Sequence, residues 1–124
     1  MKKKETLKFL VGVGIFVILY GVHSFLVARG VVVENRGVGL GWAKGLAGFL
    51  AGGIWILMLF WEKKFDFWGI KIMLLAGAIN LTDRLIWGAV RDYWYLGKGV
   101  YNNVADWLLA VGLVIFLVES WKTK

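Results

Sequence analysis

Residues 68–90 read WGIKIMLLAGAINLTDRLIWGAV. A helix crossing a bilayer core takes roughly 20 predominantly apolar residues, so this stretch is long enough to span. It also carries Lys71, Asn80, Asp83 and Arg84. Asn80, Asp83, Arg84 and Trp87 recur at i, i+3, i+4 and i+7, which places them on one helix face. Ionisable groups facing lipid are costly. That face must therefore point into a bundle, and the chain must supply the other helices.

Three further apolar runs supply them. They are 7–28, 42–61 and 104–121, with Lys8 and Lys44 near span ends where they can snorkel. With 68–90 they predict an all-α membrane protein, a four-transmembrane-helix bundle forming one integral membrane domain over 1–124. The loops left over are too short for a soluble domain. The first run is too long for a signal-peptide core, and no small-residue cleavage site follows it, so it reads as a retained helix. Gly48, Gly52 and Gly53 on the second run suggest a packing face. Gly30–Asn35 (GVVVEN) is β-branched and outside the spans, and suits a small extracytoplasmic β segment.

Composition agrees. The chain of 124 residues is 60% hydrophobic, with 17 glycines, no proline and no cysteine. Soluble domains are roughly 45–50% apolar, so a disordered tail, a DNA-binding arm and an ordinary soluble enzyme are excluded. The missing cysteines exclude disulfides, thiolate metal sites and cysteine nucleophiles. The net charge of +7 sits mostly between apolar runs, which points to membrane topology and not to nucleic acid. Lys2, Lys3, Lys4, Lys63, Lys64, Lys122 and Lys124 all fall on one side of a four-span path. That side is expected to be cytoplasmic, with both termini, in a multi-pass protein of the plasma membrane. Arg29, Arg36, Arg91 and Lys98 lie on the other side. Trp42, Trp61, Trp68, Trp87, Trp94, Trp107 and Trp121 lie near span ends, as interfacial anchors do.

Two carboxylates stand out near the outer face. Asp92 is expected about two turns beyond Asp83, and Asp106 in the first turn of the fourth span. A short connection makes these spans antiparallel neighbours, so both acids lie at similar depth. Close carboxylates share a proton, and such a pair can activate water and polarise a carbonyl. Simpler roles are available to each. Asn103 can cap the fourth helix and Asp106 suits its dipole, while Asp92 can be a solvated acid paired with Arg91. His23, the only histidine, lies beside Tyr20 and Ser24. A metal needs more ligands, so a helix–helix hydrogen bond is the expected role. The polar third-span face also fits a buried packing network.

In order along the chain, Asn80-X-X-Asp83-Arg84, Gly88-X-Val90-X-Asp92-Tyr93 and Asn103-Val-Ala-Asp106 resemble the closing motifs of the lipoprotein signal peptidase (signal peptidase II) family, roughly GNxxDR, GxVxDF and FNxADxxI. Asn35-X-Gly37 resembles that family's first outer-loop motif. The resemblance implies an intramembrane aspartic endopeptidase that removes the signal peptide from diacylglyceryl-modified prolipoproteins. It implies catalytic Asp92 and Asp106, substrate-binding Asn35, Asn80, Arg84 and Asn103, and a supporting Asp83. It implies no metal and no cofactor. The partners it implies are a lipid-modified prolipoprotein and membrane lipid.

The chain departs from the family pattern at several positions. Ile79 stands for glycine, Tyr93 for phenylalanine and Asn102 for phenylalanine. Val38, Gly39 and Leu40 replace the usual AAF, and Tyr20 and Ser24 stand where the first helix usually has an Asp–Lys pair. The other readings of the same residues are a non-enzymatic membrane scaffold or helix-binding protein and a small ion or proton transporter.

Overall fold

The computed structural model describes residues 2–37 and 46–124. Among them the element order is α1 (Lys3–Arg29), β1 (Val33–Asn35), α2 (Ala47–Phe65), α3 (Trp68–Trp87), β2 (Val90–Asp92), β3 (Trp94–Gly97), β4 (Val100–Asn102) and α4 (Val104–Lys122). Four helices match the four apolar runs. α1 and α4 are long and apolar enough to cross a membrane. The expected Trp42 start of the second run, with Lys44 and Val38–Leu40, lies outside the described residues.

α3 is the central helix. Its Ala76 and Ile79 join Ala105 of α4 in a fully buried cluster, covered by Phe16, Leu19 and Tyr20 of α1 and by Leu108 and Leu109 of α4. The α3–α4 contact is the most extensive, and two glycines set it. A Cβ on Gly69 would stand 2.3 Å from the Phe116 nitrogen, and one on Gly112 would stand 2.9 Å from the Gly69 oxygen. Only bare backbone permits that approach. Gly48, Gly52 and Gly53, the expected packing face, meet nothing within 4 Å among the described residues. On α2 it is Trp55 that reaches across, donating from Nε1 to the Leu74 oxygen of α3 at 2.8 Å.

The outward surface is apolar. Phe49 and Leu85 are 83% and 86% exposed, and large exposed apolar side chains run along α1, α2 and α4. Water would penalise such a surface, and lipid tails would not. One end of the bundle is closed by a carboxylate. Phe67, the N-cap of α3, makes no side-chain cap bond. Glu119 of α4 instead accepts from the Trp68 and Gly69 backbone N–H groups at 3.0 and 2.9 Å. This serves two donors that the first turn leaves unpaired.

The other end departs from an all-α plan. α3 does not run to Val90. Gly88 takes φ +73°, which ends the helix after Trp87. Val90–Asp92 then pairs antiparallel with β1, placing Val33 opposite Asp92 and Asn35 opposite Val90. The expected small β segment is thus present, but covers only Val33–Asn35. A second sheet, the β3–β4 hairpin, turns through Gly97, Lys98 and Gly99, all at positive φ. Both sheets sit where α1 and α3 end and α4 begins.

Candidate active site

Asp83 of α3 is fully buried. A buried carboxylate is tolerated only when its lone pairs are satisfied. Its Oδ1 accepts from the Tyr20 hydroxyl at 2.9 Å and Arg91 Nη2 at 2.8 Å. Its Oδ2 meets His23 Nε2 at 2.8 Å, the Arg91 backbone N–H at 3.0 Å and Arg91 Nε at 3.2 Å. Asp83 therefore ties α1, α3 and β2 together. Arg91 is spent on Asp83, so the alternative of a solvated Asp92 paired with Arg91 does not occur. The physical reason is the strand: neighbouring side chains point to opposite faces of β2.

Asp92 consequently points inward and is 3% exposed. It lies on a strand, not on a continued helix as the sequence suggested. Asn103 Nδ2 donates to its Oδ1 at 2.9 Å and to Asn80 Oδ1 at 3.1 Å. The Asn35 side chain also hydrogen-bonds the Asp92 carboxylate, while Asn35 Oδ1 accepts from the Gly37 N–H at 3.0 Å. Burial first, and then the nearby charge of Asp106, push the Asp92 carboxyl up to about 7 against those two hydrogen bonds. A carboxyl poised there gains or loses its proton near neutrality.

Asp106 is set by the start of α4. Asn103 and Asp106 form a reciprocal capping box: Asn103 Oδ1 accepts from the Asp106 N–H at 3.2 Å, and Asp106 Oδ2 accepts from the Asn103 N–H at 3.0 Å. The capping role expected of both residues is present, and it also aims Asp106 at the same polar cluster. Asn80 hydrogen-bonds the Asp106 carboxylate as well. Arg84 leaves α3 on a different face, donates to the Gly37 carbonyl oxygen and carries its charge near Asp92. Its Nε is buried without a partner.

The fold thus gathers Asn35, Asn80, Arg84, Asp92, Asn103 and Asp106, with Asp83 one layer behind. His23 makes the helix–helix bond expected of it, but in a larger role. Tyr20, His23, Arg91 and Tyr93 converge on or next to Asp83, and the sequence reading gave none of them a place in the site. One signal was available: Tyr20 and His23 are three apart on an otherwise apolar helix, and so share a face. No group of three or more His, Asp or Glu side chains among the described residues is placed to hold a metal ion.

Fold and site together define a helical membrane protein with one buried and one half-buried carboxylate set among asparagines at one end of its bundle. Residues 5–122 match the family model described as signal peptidase (SPase) II. A lipoprotein signal peptidase of Solibacter usitatus is 31% identical over 109 residues, covering 73% of this chain and 66% of the relative. One from Thermodesulfovibrio yellowstonii is 34% identical over 106 residues, covering 74% and 69%. A bacterial membrane enzyme solved by the in meso method at 2.3 Å shares the fold, with TM-score 0.70 at 19% identity over 94% of this chain and 88% of that one. The chain belongs to the signal peptidase II family, the peptidases that remove signal peptides from prolipoproteins.

Proposed function

We propose that Asp92 and Asp106 are the catalytic pair of an intramembrane aspartic endopeptidase acting on diacylglyceryl-modified prolipoproteins. The observation that carries this reading is the shared cradle. Asn103 bonds Asp92 and Asn80, Asn80 bonds Asp106, and burial together with the charge of Asp106 raises the Asp92 carboxyl to about 7. Two acids so coupled hold one proton between them near neutral pH. The ionised member takes a proton from water, and the water oxygen bonds to the scissile carbonyl carbon. The protonated member gives its proton to the carbonyl oxygen. Collapse of the tetrahedral intermediate breaks the C–N bond, the proton gained from water passes to the leaving nitrogen, and a hydroxyl of the intermediate returns its proton to the other aspartate as the carbonyl re-forms.

Asn35, Asn80, Arg84 and Asn103 surround the pair and are proposed to hold the extended peptide. Asn35 lies on a strand beside Asp92, where a substrate backbone can run along it. Asp83 is proposed as the support beneath. Four spans are proposed, with both termini cytoplasmic. The site residues lie on β1, β2, the C-terminal part of α3 and the start of α4, opposite the lysine-rich ends, which supports a site near the outer face. The apolar outer walls leave the acyl chains of the substrate in contact with lipid.

The test is cleavage of a diacylglyceryl prolipoprotein by the purified protein in lipid, followed by gel shift. The parent is expected to release the signal peptide. Asp92→Asn and Asp106→Asn are expected to insert normally and release none above background. Near-normal cleavage by either variant would remove that aspartate from the mechanism.

A further inference from the structure

Asp92 is flanked by two residues that are each anchored elsewhere. On one side Arg91 is bound to Asp83 through its backbone N–H and its guanidinium. On the other side Tyr93 is 8% exposed, its N–H donates to the Asn102 oxygen at 3.0 Å, and its ring lies 5.5 Å from that of His23. The Tyr93 hydroxyl stands 3.2 Å from His23 Nδ1 and accepts from the Val104 N–H at 3.0 Å. Asp83 accepts from His23 Nε2, which leaves Nδ1 to accept the hydroxyl hydrogen of Tyr93. A continuous chain therefore runs from Val104 through Tyr93 and His23 to Asp83.

Val104 is the first residue of α4, so its N–H is one of the donors a helix start leaves unpaired. The site's own residues serve that turn: Asn103 takes the Asp106 N–H, Asp106 takes the Asn103 N–H, and Tyr93 takes the Val104 N–H. The space around Tyr93 is closed as well. A Cβ on Gly30, just past the end of α1, would stand 3.1 Å from the Tyr93 Cβ. α1, β2 and the first turn of α4 are thus fastened at one point.

We infer that His23 and Tyr93 form a positioning relay that fixes Asp92 and the Asp106-bearing turn of α4 relative to each other. The inference rests on the peptidase reading for its consequence, but not for its geometry. Neither side chain is assigned to substrate. They act by holding two carboxylates at the separation that makes them share a proton. A phenylalanine at 93 would fill the same volume while leaving His23 Nδ1 and the Val104 N–H buried and unpaired, which favours displacement of the turn. A displacement of about 1 Å at reacting groups costs roughly 100-fold in rate.

The test compares the parent with Tyr93→Phe, His23→Phe and the double variant in lipid. Each single variant is expected to stay folded by thermal unfolding, with kcat down roughly 10- to 100-fold and KM within about twofold. The double variant is expected to be no slower than the worse single, because one chain is broken once or twice. An infrared titration of the Asp92 carboxyl gives a second readout that needs no substrate. Its midpoint is expected to fall in both single variants as the acids separate and water enters. Unchanged kcat with an unchanged midpoint in a folded Tyr93→Phe protein overturns the relay, as do additive losses in the double variant. If the folded parent cleaves no prolipoprotein, the peptidase assignment fails alone and the titration still decides the relay.

Discussion

Asp92→Asn is expected to stabilise the folded protein at pH 8 while abolishing its cleavage. The carboxyl is raised from its ordinary 3.8 to about 7 in the folded chain. A folded chain that holds a proton the unfolded chain would release is stabilised in acid. That contribution is complete below pH 3.8, shrinks as the pH rises, and is gone once the pH passes about 7. At about 1.4 kcal/mol per pH unit, the gap between 3.8 and about 7 is worth about 4 kcal/mol. Asparagine never ionises and escapes this loss. It also replaces one acceptor oxygen with a donor facing Asn35 or Asn103, at a cost of about 1 kcal/mol. The variant should therefore be about 1 kcal/mol less stable than the parent at pH 4 and about 3 kcal/mol more stable at pH 8. The assay is unfolding of both proteins in one detergent across that range, and only the difference between them is read, which removes every titrating group not coupled to Asp92. A difference that does not change with pH would refute the claim that Asp92 is buried beside a second carboxylate.

Three other outcomes are expected. Gly69→Val should force α3 away from α4, because its Cβ already falls 2.3 Å from the Phe116 nitrogen; a loss above about 2 kcal/mol in unfolding checks this, and no loss would mean that the helices do not meet there. Asn103→Ala removes a helix cap worth about 1 kcal/mol and the donor to Asp92, so stability should fall modestly and cleavage much further. Asp83→Asn leaves the partly buried Arg91 against a neutral group and should cost about 3 kcal/mol; unchanged unfolding of the variant would contradict the central role given to Asp83.

Much of the site was legible in order but not in geometry. Asn80, Asp83 and Arg84 share a helix face by spacing alone, and lipid forbids exposing them, so an inward polar face follows from period and solvent. The structure divides that face. Asp83 is consumed by Tyr20, His23 and Arg91, Asn80 reaches Asn103, and Arg84 turns to Gly37. The β3–β4 hairpin had a signal too, in aromatic and β-branched residues around Gly97-Lys98-Gly99. Each strand is only three or four residues long, too short for its alternation to set it apart from a plain connection.

Four apolar runs, their helical period, the lysine bias and the motif order are properties of the chain taken locally, and each was available without coordinates. The place where α3 stops was not, since a left-handed Gly88 is favoured only once Val90–Asp92 has β1 to pair with. Nor was the choice of packing glycines. Gly69 and Gly112 matter because two backbones meet there, while Gly48, Gly52 and Gly53 look identical in sequence and meet nothing among the described residues. The convergence of His23, Asp83 and Tyr93 belongs to the same class, with 60 and 70 residues separating His23 from its two partners. Helix period and hydropathy act over a few residues, so the sequence by itself determined which segments form apolar helices and which carry polar faces. Which of those polar groups touch depends on how the helices are rotated and how closely they approach, and only the tertiary structure decided that.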